Sequence, residues 1–125
     1  MLADRPAVAT VAVKDLAAAK RFYEGVLGLT QVASQGGEAV TYATGAGKLL
    51  VYRSQFAGTN KATAATWMVG NDIERIVKAL KAKGLAFEHY DMPQMTRQVD
   101  IHVAGDTRAA WFKDPDGNIH AIVSG

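Results

Sequence analysis

The sequence predicts an α+β fold of two β-α-β-β-β modules in tandem, and three observations lead there. A strand-like apolar run followed by an amphipathic helical stretch occurs twice, the two copies share one spacing, and each helix is followed by short apolar runs broken by turn residues. In the first copy the run at 7–13 is followed by Asp15, placed to cap a helix whose buried stripe is Leu16, Ala19, Phe22, Tyr23 and Val26 and which Gly28 stops. In the second, residues 63–69 form the strand. Asn71 with Glu74 three residues on has the form of a capping box, and Ile73, Ile76, Val77 and Leu80 make the stripe before Gly84. Val13 and Val69, Asp15 and Asn71, Gly28 and Gly84, and Leu29 and Leu85 are each 56 positions apart, the mark of a duplicated unit.

The remaining strands are expected at 31–34, 38–44 and 48–53 in the first module and at 86–89, 108–113 and 118–124 in the second. Asp114-Pro115-Asp116-Gly117-Asn118 is rich in chain-reversing residues and reads as the turn of the last hairpin. The stretch 90–105 contains Pro93 and reads as irregular. One domain follows, with module one at 5–54, a linker at 55–61 and module two at 62–125.

Composition narrows the function. A chain of 125 residues with 49% hydrophobic and 21% charged residues is ordinary for a globular domain. No apolar stretch approaches the roughly 20 residues of a membrane-spanning helix, and the first residues do not form a signal peptide, so a cytoplasmic protein without membrane contact is expected. The absence of cysteine removes disulfides, thiolate zinc sites and cysteine nucleophiles. A net charge of +2, from 14 basic and 12 acidic residues, does not suggest a nucleic-acid partner. Arg75, Lys78, Lys81 and Lys83 share one helix and read as its solvated face. Phosphate-binding glycine loops, a nucleophile elbow and paired carboxylates are all missing.

Val13-Lys14-Asp15-Leu16, Phe22-Tyr23, Leu27-Gly28 and the Asp114–Asn118 turn, set in a doubled β-α-β-β-β pattern, resemble the vicinal oxygen chelate superfamily, which includes glyoxalase I, extradiol dioxygenases and bleomycin-resistance proteins. The resemblance spans nearly the whole chain. It implies a curled mixed sheet forming a funnel around a small-molecule pocket, and a homodimer. Metal-dependent relatives carry ligands at positions that align with Val8, Ala64, Ala121 and, in the best register, Tyr52. Apolar side chains supply no metal ligands, so no metal and no cofactor are expected.

Alternation from those positions sends Thr10, Ala12, Thr66, Met68, Ile119 and Val123 into the funnel and Val11, Val13, Trp67 and Val69 toward the helices. With a turn at 114–117, Phe112 pairs with Ile119 and joins the funnel, leaving Trp111 and His120 outside. A three-residue turn at Gly45-Ala46-Gly47 groups Tyr42, Leu50 and Tyr52. The expected ligand-binding residues are therefore Thr10, Tyr42, Tyr52, Thr66, Met68 and Phe112, a wall suited to an apolar or aromatic molecule. The expectation is sequestration of such a molecule in the manner of bleomycin-resistance proteins, with no catalytic residue assigned. The alternative is a lyase, isomerase or dioxygenase-related enzyme whose acid or base comes from His89, His102 or His120. His102 and Tyr90 fall in the irregular stretch and read as loop residues, His120 reads as a structural histidine, and Arg53 and Arg97 stand at the rim or on the surface.

Overall fold

The first module begins with β1 (Ala9–Val13), α1 (Leu16–Lys20) and a π-helical continuation, Arg21–Val26. Strands β2 (Thr30–Gln35), β3 (Ala39–Thr44) and β4 (Gly47–Arg53) complete it. The second has β5 (Thr63–Met68), a 3₁₀ turn at Gly70–Asp72, α2 (Ile73–Ala82) and the short β6 (Phe87–Glu88). It continues with β7 (Thr96–Gln98), β8 (Ile101–Ala104), β9 (Thr107–Lys113) and β10 (Ile119–Val123). The structure is a computed structural model describing residues 1–124; Gly125, the end of the expected second module, lies outside them.

Two mixed sheets result, ordered β1-β4-β3-β2 and β5-β10-β9-β8-β7, with β6 also paired to β9. In each, the first strand lies parallel to the last, β1 on β4 and β5 on β10, which is the doubled unit in three dimensions. The sheets meet at β1 and β5 and do not close. Asp15 caps α1 as its position predicts, its Oδ1 accepting from the amides of Ala17 at 2.9 Å and Ala18 at 3.2 Å. The helix then widens, the Leu27 amide reaching the Phe22 carbonyl five residues back at 3.0 Å, and ends at Gly28 with φ +72°. α2 ends on Gly84 at φ +91°, with the amides of Gly84 and Leu85 returning to the carbonyls of Lys81 and Leu80.

The start of α2 differs from expectation. Asn71 lies within the 3₁₀ turn, Asp72 is the N-cap residue and makes no side-chain cap bond, and the Glu74 carboxylate is engaged by Arg108 Nη1 at 2.7 Å. A cross-element ion pair has taken the group that a capping box needs. The stretch 90–105 also departs from the irregular reading, since β7 and β8 form a hairpin there, and only Phe87–Glu88 of the expected 86–89 strand pairs. No glycine marks the β7–β8 turn, where Val99 takes φ +60°.

Each module has its own core on the helix-covered side of its sheet. Leu16, Ala19 and Tyr23 pack on Val11, Val13, Val40, Tyr42, Leu49 and Val51; Ile73 and Val77 pack on Phe87, Ala110, Phe112 and Ile122. The Asp114–Asn118 turn fastens the two together. The Asp114 carboxylate accepts from the amides of Asp116 and Asn118, from Asn118 Nδ2, and from the Tyr23 hydroxyl of module one at 2.7 Å. Asn118 Nδ2 also donates to the Ala12 carbonyl at 2.7 Å, and the Lys14 amide donates to Asp116 Oδ1 at 3.1 Å. A turn that reads locally as a hairpin reversal is thus also a clamp between modules.

Candidate functional site: the open sheet face

Strand alternation leaves each sheet one face without helices, and pairing shows what lies on it. Across the second sheet one row runs Thr66, Ala121, Trp111 and Glu88, and the next runs Met68, Val123, Ala109 and His102. On the first sheet Thr10 pairs with Leu50 and Ala12 with Tyr52. Thr10, Tyr52, Thr66 and Met68 all lie on this open side, with Tyr52 at 39% and Met68 at 67% exposure. The Thr10 hydroxyl donates to the Val8 carbonyl at 3.0 Å.

Tyr42 and Phe112 are on the opposite face, each 1% exposed, which corrects the expected register twice. Thr44 pairs with Gly47 across a two-residue turn, so Tyr42 faces Leu49 and sits in the first core, its hydroxyl on Glu24 Oε2 at 2.9 Å. Burial, then that carboxylate, raise the Tyr42 pKa above the ordinary phenol range. In the last hairpin Lys113 pairs with Ile119, making the turn five residues long, because Asn118 is held by Asp114 and does not join the strand. Phe112 consequently faces His120 among the core side chains, and Trp111 takes the open face.

His120 is a fully buried structural histidine, and its bonds fix its tautomer. Trp67 Nε1 donates to Nδ1 at 3.0 Å, so Nε2 carries the hydrogen and donates to the Tyr23 oxygen at 2.9 Å. The Tyr23 hydroxyl passes the chain on to Asp114. Burial pushes the His120 pKa down to about 4 against the opposing charge of Asp114, while Tyr23, buried beside that carboxylate, is raised. His120 also stacks on Phe112, with ring centroids 4.9 Å apart and planes 2° from parallel.

The positions that align with metal ligands do not fit a metal. Val8, Ala64 and Ala121 carry hydrocarbon side chains, and Tyr52 pairs with Ala12, four residues beyond Val8. Ala64 is the extra residue of a bulge in β5 and packs against the first core. Among the described residues no group of three or more histidine and carboxylate side chains is arranged to hold an ion.

The largest cleft of the open side, about 760 Å³, lies between the 58–63 segment and Tyr90, Asp91 and Met92, with Trp111, Lys113 and Ile119 on its floor and rim. None of the six expected ligand-binding residues lines it. Tyr90 and His102, read from the sequence as loop residues, pack edge-on against Trp111 with ring centroids 5.4 and 4.9 Å away, and His102 is 0% exposed on β8. The Tyr90 amide donates to His102 Nε2 at 2.9 Å, which puts the ring hydrogen on Nδ1. That Nδ1 and the Tyr90 hydroxyl are buried with no hydrogen-bond partner among the described residues. Each such group costs about 1–3 kcal/mol when left unmatched. Burial, with help from Glu88 and against Lys113, raises the Tyr90 pKa, so the phenol keeps its proton. Alternating sequence signals exist for His102, in Ile-His-Val-Ala, but the unmarked turn at Val99 hides the strand they belong to.

The other candidates are committed elsewhere. His89 Nε2 and Lys81 Nζ lie 2.7 and 2.6 Å from the buried Asp100 carboxylate, whose pKa the bonds to Lys81 and then His89 lower. Arg53 pairs with Glu38 at 2.9 Å and Arg97 donates to the Val99 carbonyl at 2.7 Å. Arg75 of the basic helix pairs with Asp72.

The sequence profile of the Glyoxalase/Bleomycin resistance protein/Dioxygenase superfamily matches residues 5–122. Similar solved structures include lactoylglutathione lyase from Agrobacterium tumefaciens, with a TM-score of 0.71 and 18% identity over 94% of this chain and 91% of that one. A fosfomycin resistance protein, FosX, from Mesorhizobium loti gives 0.66 and 16% over 96% and 90%. A virulence protein from Salmonella typhimurium gives 0.66 and 22% over 98% of both chains. No curated protein matches the sequence. At these identities the likeness is one of fold.

Proposed function

The chain belongs to the glyoxalase/bleomycin resistance protein/dioxygenase superfamily, and from that premise we propose that it binds a small apolar or aromatic organic molecule on its open sheet face without a resident metal. The observation that carries this reading is the pairing of an apolar, hydroxyl-dotted face with ligand-aligned positions that hold Val8, Ala64, Ala121 and Tyr52. The binding wall runs from Thr10 and Tyr52 across Thr66 and Met68 to the cleft at Trp111. The 125 residues act as one domain of two modules in the cytoplasm, and two copies associate. No described helix is long and apolar enough to cross a membrane. The role is sequestration, as in bleomycin-resistance proteins.

A thermal-shift screen of aromatic and aliphatic compounds in the presence of a chelator tests this. A bound compound stabilises by an amount that grows with the logarithm of its concentration over its Kd, so a loss of affinity reads out as a smaller shift at fixed dose. Met68→Ala and Tyr52→Ala are expected to shrink the shift, and an absence of any stabilising compound would count against binding on this face. The competing reading is a lyase, isomerase or dioxygenase-related enzyme. It is favoured by one observation, the imidazole of His102 packed edge-on against the cleft residue Trp111. Conversion of a bound compound, rather than its return unchanged, selects that reading.

A further inference from the structure

We propose a second ligand site on the helix side of the second sheet, where a groove between the modules takes one compact, uncharged hydrocarbon molecule the size of benzene or toluene. It goes beyond the open-face reading and does not depend on it, because Trp67 points to the helix side of β5 while its neighbours Thr66 and Met68 point to the open side. The groove holds about 160 Å³. Leu27 and Leu29, which follow the π-helical segment of module one, line it together with Ile76 and Leu80 of α2, and the sheet contributes Trp67, Phe112 and Ile122. Every one of these side chains is apolar or aromatic.

Such a lining selects its guest by what it lacks. A buried water is held by about three polar partners, and the only polar side-chain atom among these residues, Trp67 Nε1, is engaged with His120 Nδ1 at 3.0 Å. The amides of Leu27, Leu29 and Val69 are likewise tied to the carbonyls of Phe22, Tyr23 and Val123. No charged side chain lines the groove among the described residues, so an ion would lose its hydration there with nothing to replace it. A cavity of about 150 Å³ walled by leucine, isoleucine and phenylalanine stays dry and binds benzene or xenon, and this groove matches it in size and chemistry. It differs in having a mouth. Leu27, Leu29, Ile76 and Leu80 are half-buried, so a guest enters between them without opening the fold. Because both modules line the groove, a bound guest also adds contact between them.

Methyl-detected NMR titration of the unaltered protein with toluene, and with phenol as a polar counterpart of the same size, tests the site without relying on a variant that folds. Toluene is expected to give saturable ring-current shifts at the methyl groups of Leu27, Leu29, Ile76, Leu80 and Ile122 while the Met68 methyl on the open face stays in place. Phenol is expected to bind about tenfold more weakly, since its hydroxyl finds no partner in the groove. Leu80→Trp, which fills the groove with a larger ring, is expected to abolish the toluene shifts at the remaining groove methyls; their persistence overturns the proposal. Shifts confined to Met68 and Val123 also overturn it, and place the guest on the open face in support of that reading alone. Absence of any saturable shift in the groove, or phenol binding as tightly as toluene, overturns it as well.

Discussion

His120 accepts a hydrogen bond from Trp67 Nε1 on Nδ1 by staying neutral, and a second proton would take that lone pair and place a charge in a site fully buried from water. Its folded pKa of about 4 lies below the ordinary 6.5, so the unfolded chain binds the proton more readily. Stability from this group is therefore fully present above pH 6.5 and drains away as pH falls toward 4, by about 3 kcal/mol at roughly 1.4 kcal/mol per pH unit. Urea denaturation of the protein and of His120→Phe between pH 7 and 5, above the carboxylate range, reads it by difference. A slope that persists unchanged in His120→Phe assigns the dependence to another group. Neighbouring residues give a second test. Trp67→Ala should cost roughly 3–5 kcal/mol, since it opens a cavity in the core and leaves His120 Nδ1 without its donor, whereas Met68→Ala on the open face should cost much less. Equal losses for the two would mean that the strand faces are exchanged.

The elements show where sequence reading succeeds and where physics hides the signal. The β1–α1 and β5–α2 units were legible because apolar spacing, Asp15 and the two stop glycines act locally, within one or two turns of helix. The π-helical widening at Arg21–Val26 has no such signature, and the failed capping box at Asn71 was decided by Arg108, thirty-odd residues away. Registers failed by one residue in both hairpins, and one residue exchanges the faces. Tyr42 and Phe112 thus moved into the cores while Trp111 came onto the open face. The bulge at Ala64 left no mark in the sequence. The β7–β8 turn is the clearest missed element, because a β-branched residue occupies a conformation that ordinarily calls for glycine. Val99→Gly should therefore raise stability slightly, by up to about 1 kcal/mol, as relief of left-handed strain outweighs the extra freedom of the unfolded chain. A loss of stability in the same denaturation assay would mean that packing of the Val99 side chain matters more than its backbone strain.

At the scale of the molecule, assembly and metal content are linked by symmetry. A homodimer repeats the same four aligned positions from the second copy, so pairing two chains adds further valine, alanine and tyrosine side chains and no new metal-ligand type. Protein exposed to nickel, zinc or iron and then desalted should retain well under one equivalent by elemental analysis, whatever its oligomeric state; about one metal per chain would overturn the metal-free reading. The case for pairing is separate. Met68, Tyr52 and Val8 are exposed on or beside the open face, all six residues of the edge strand β2 are exposed, and the two sheets leave their edges unclosed. A chain of 13.3 kDa buries a smaller fraction of its surface than larger domains do, and an unpaired edge strand invites a partner. A two-fold pair covers the same patch on both copies at once. Sedimentation equilibrium at micromolar concentration should return twice the 13.3 kDa chain mass, and the thermal shift given by a bound aromatic compound should shrink on dilution if the second copy helps to wall the open face. A single-chain mass at that concentration, with a ligand shift indifferent to dilution, would place the whole binding surface within one chain and leave the exposed Met68 and Tyr52 to the ligand alone.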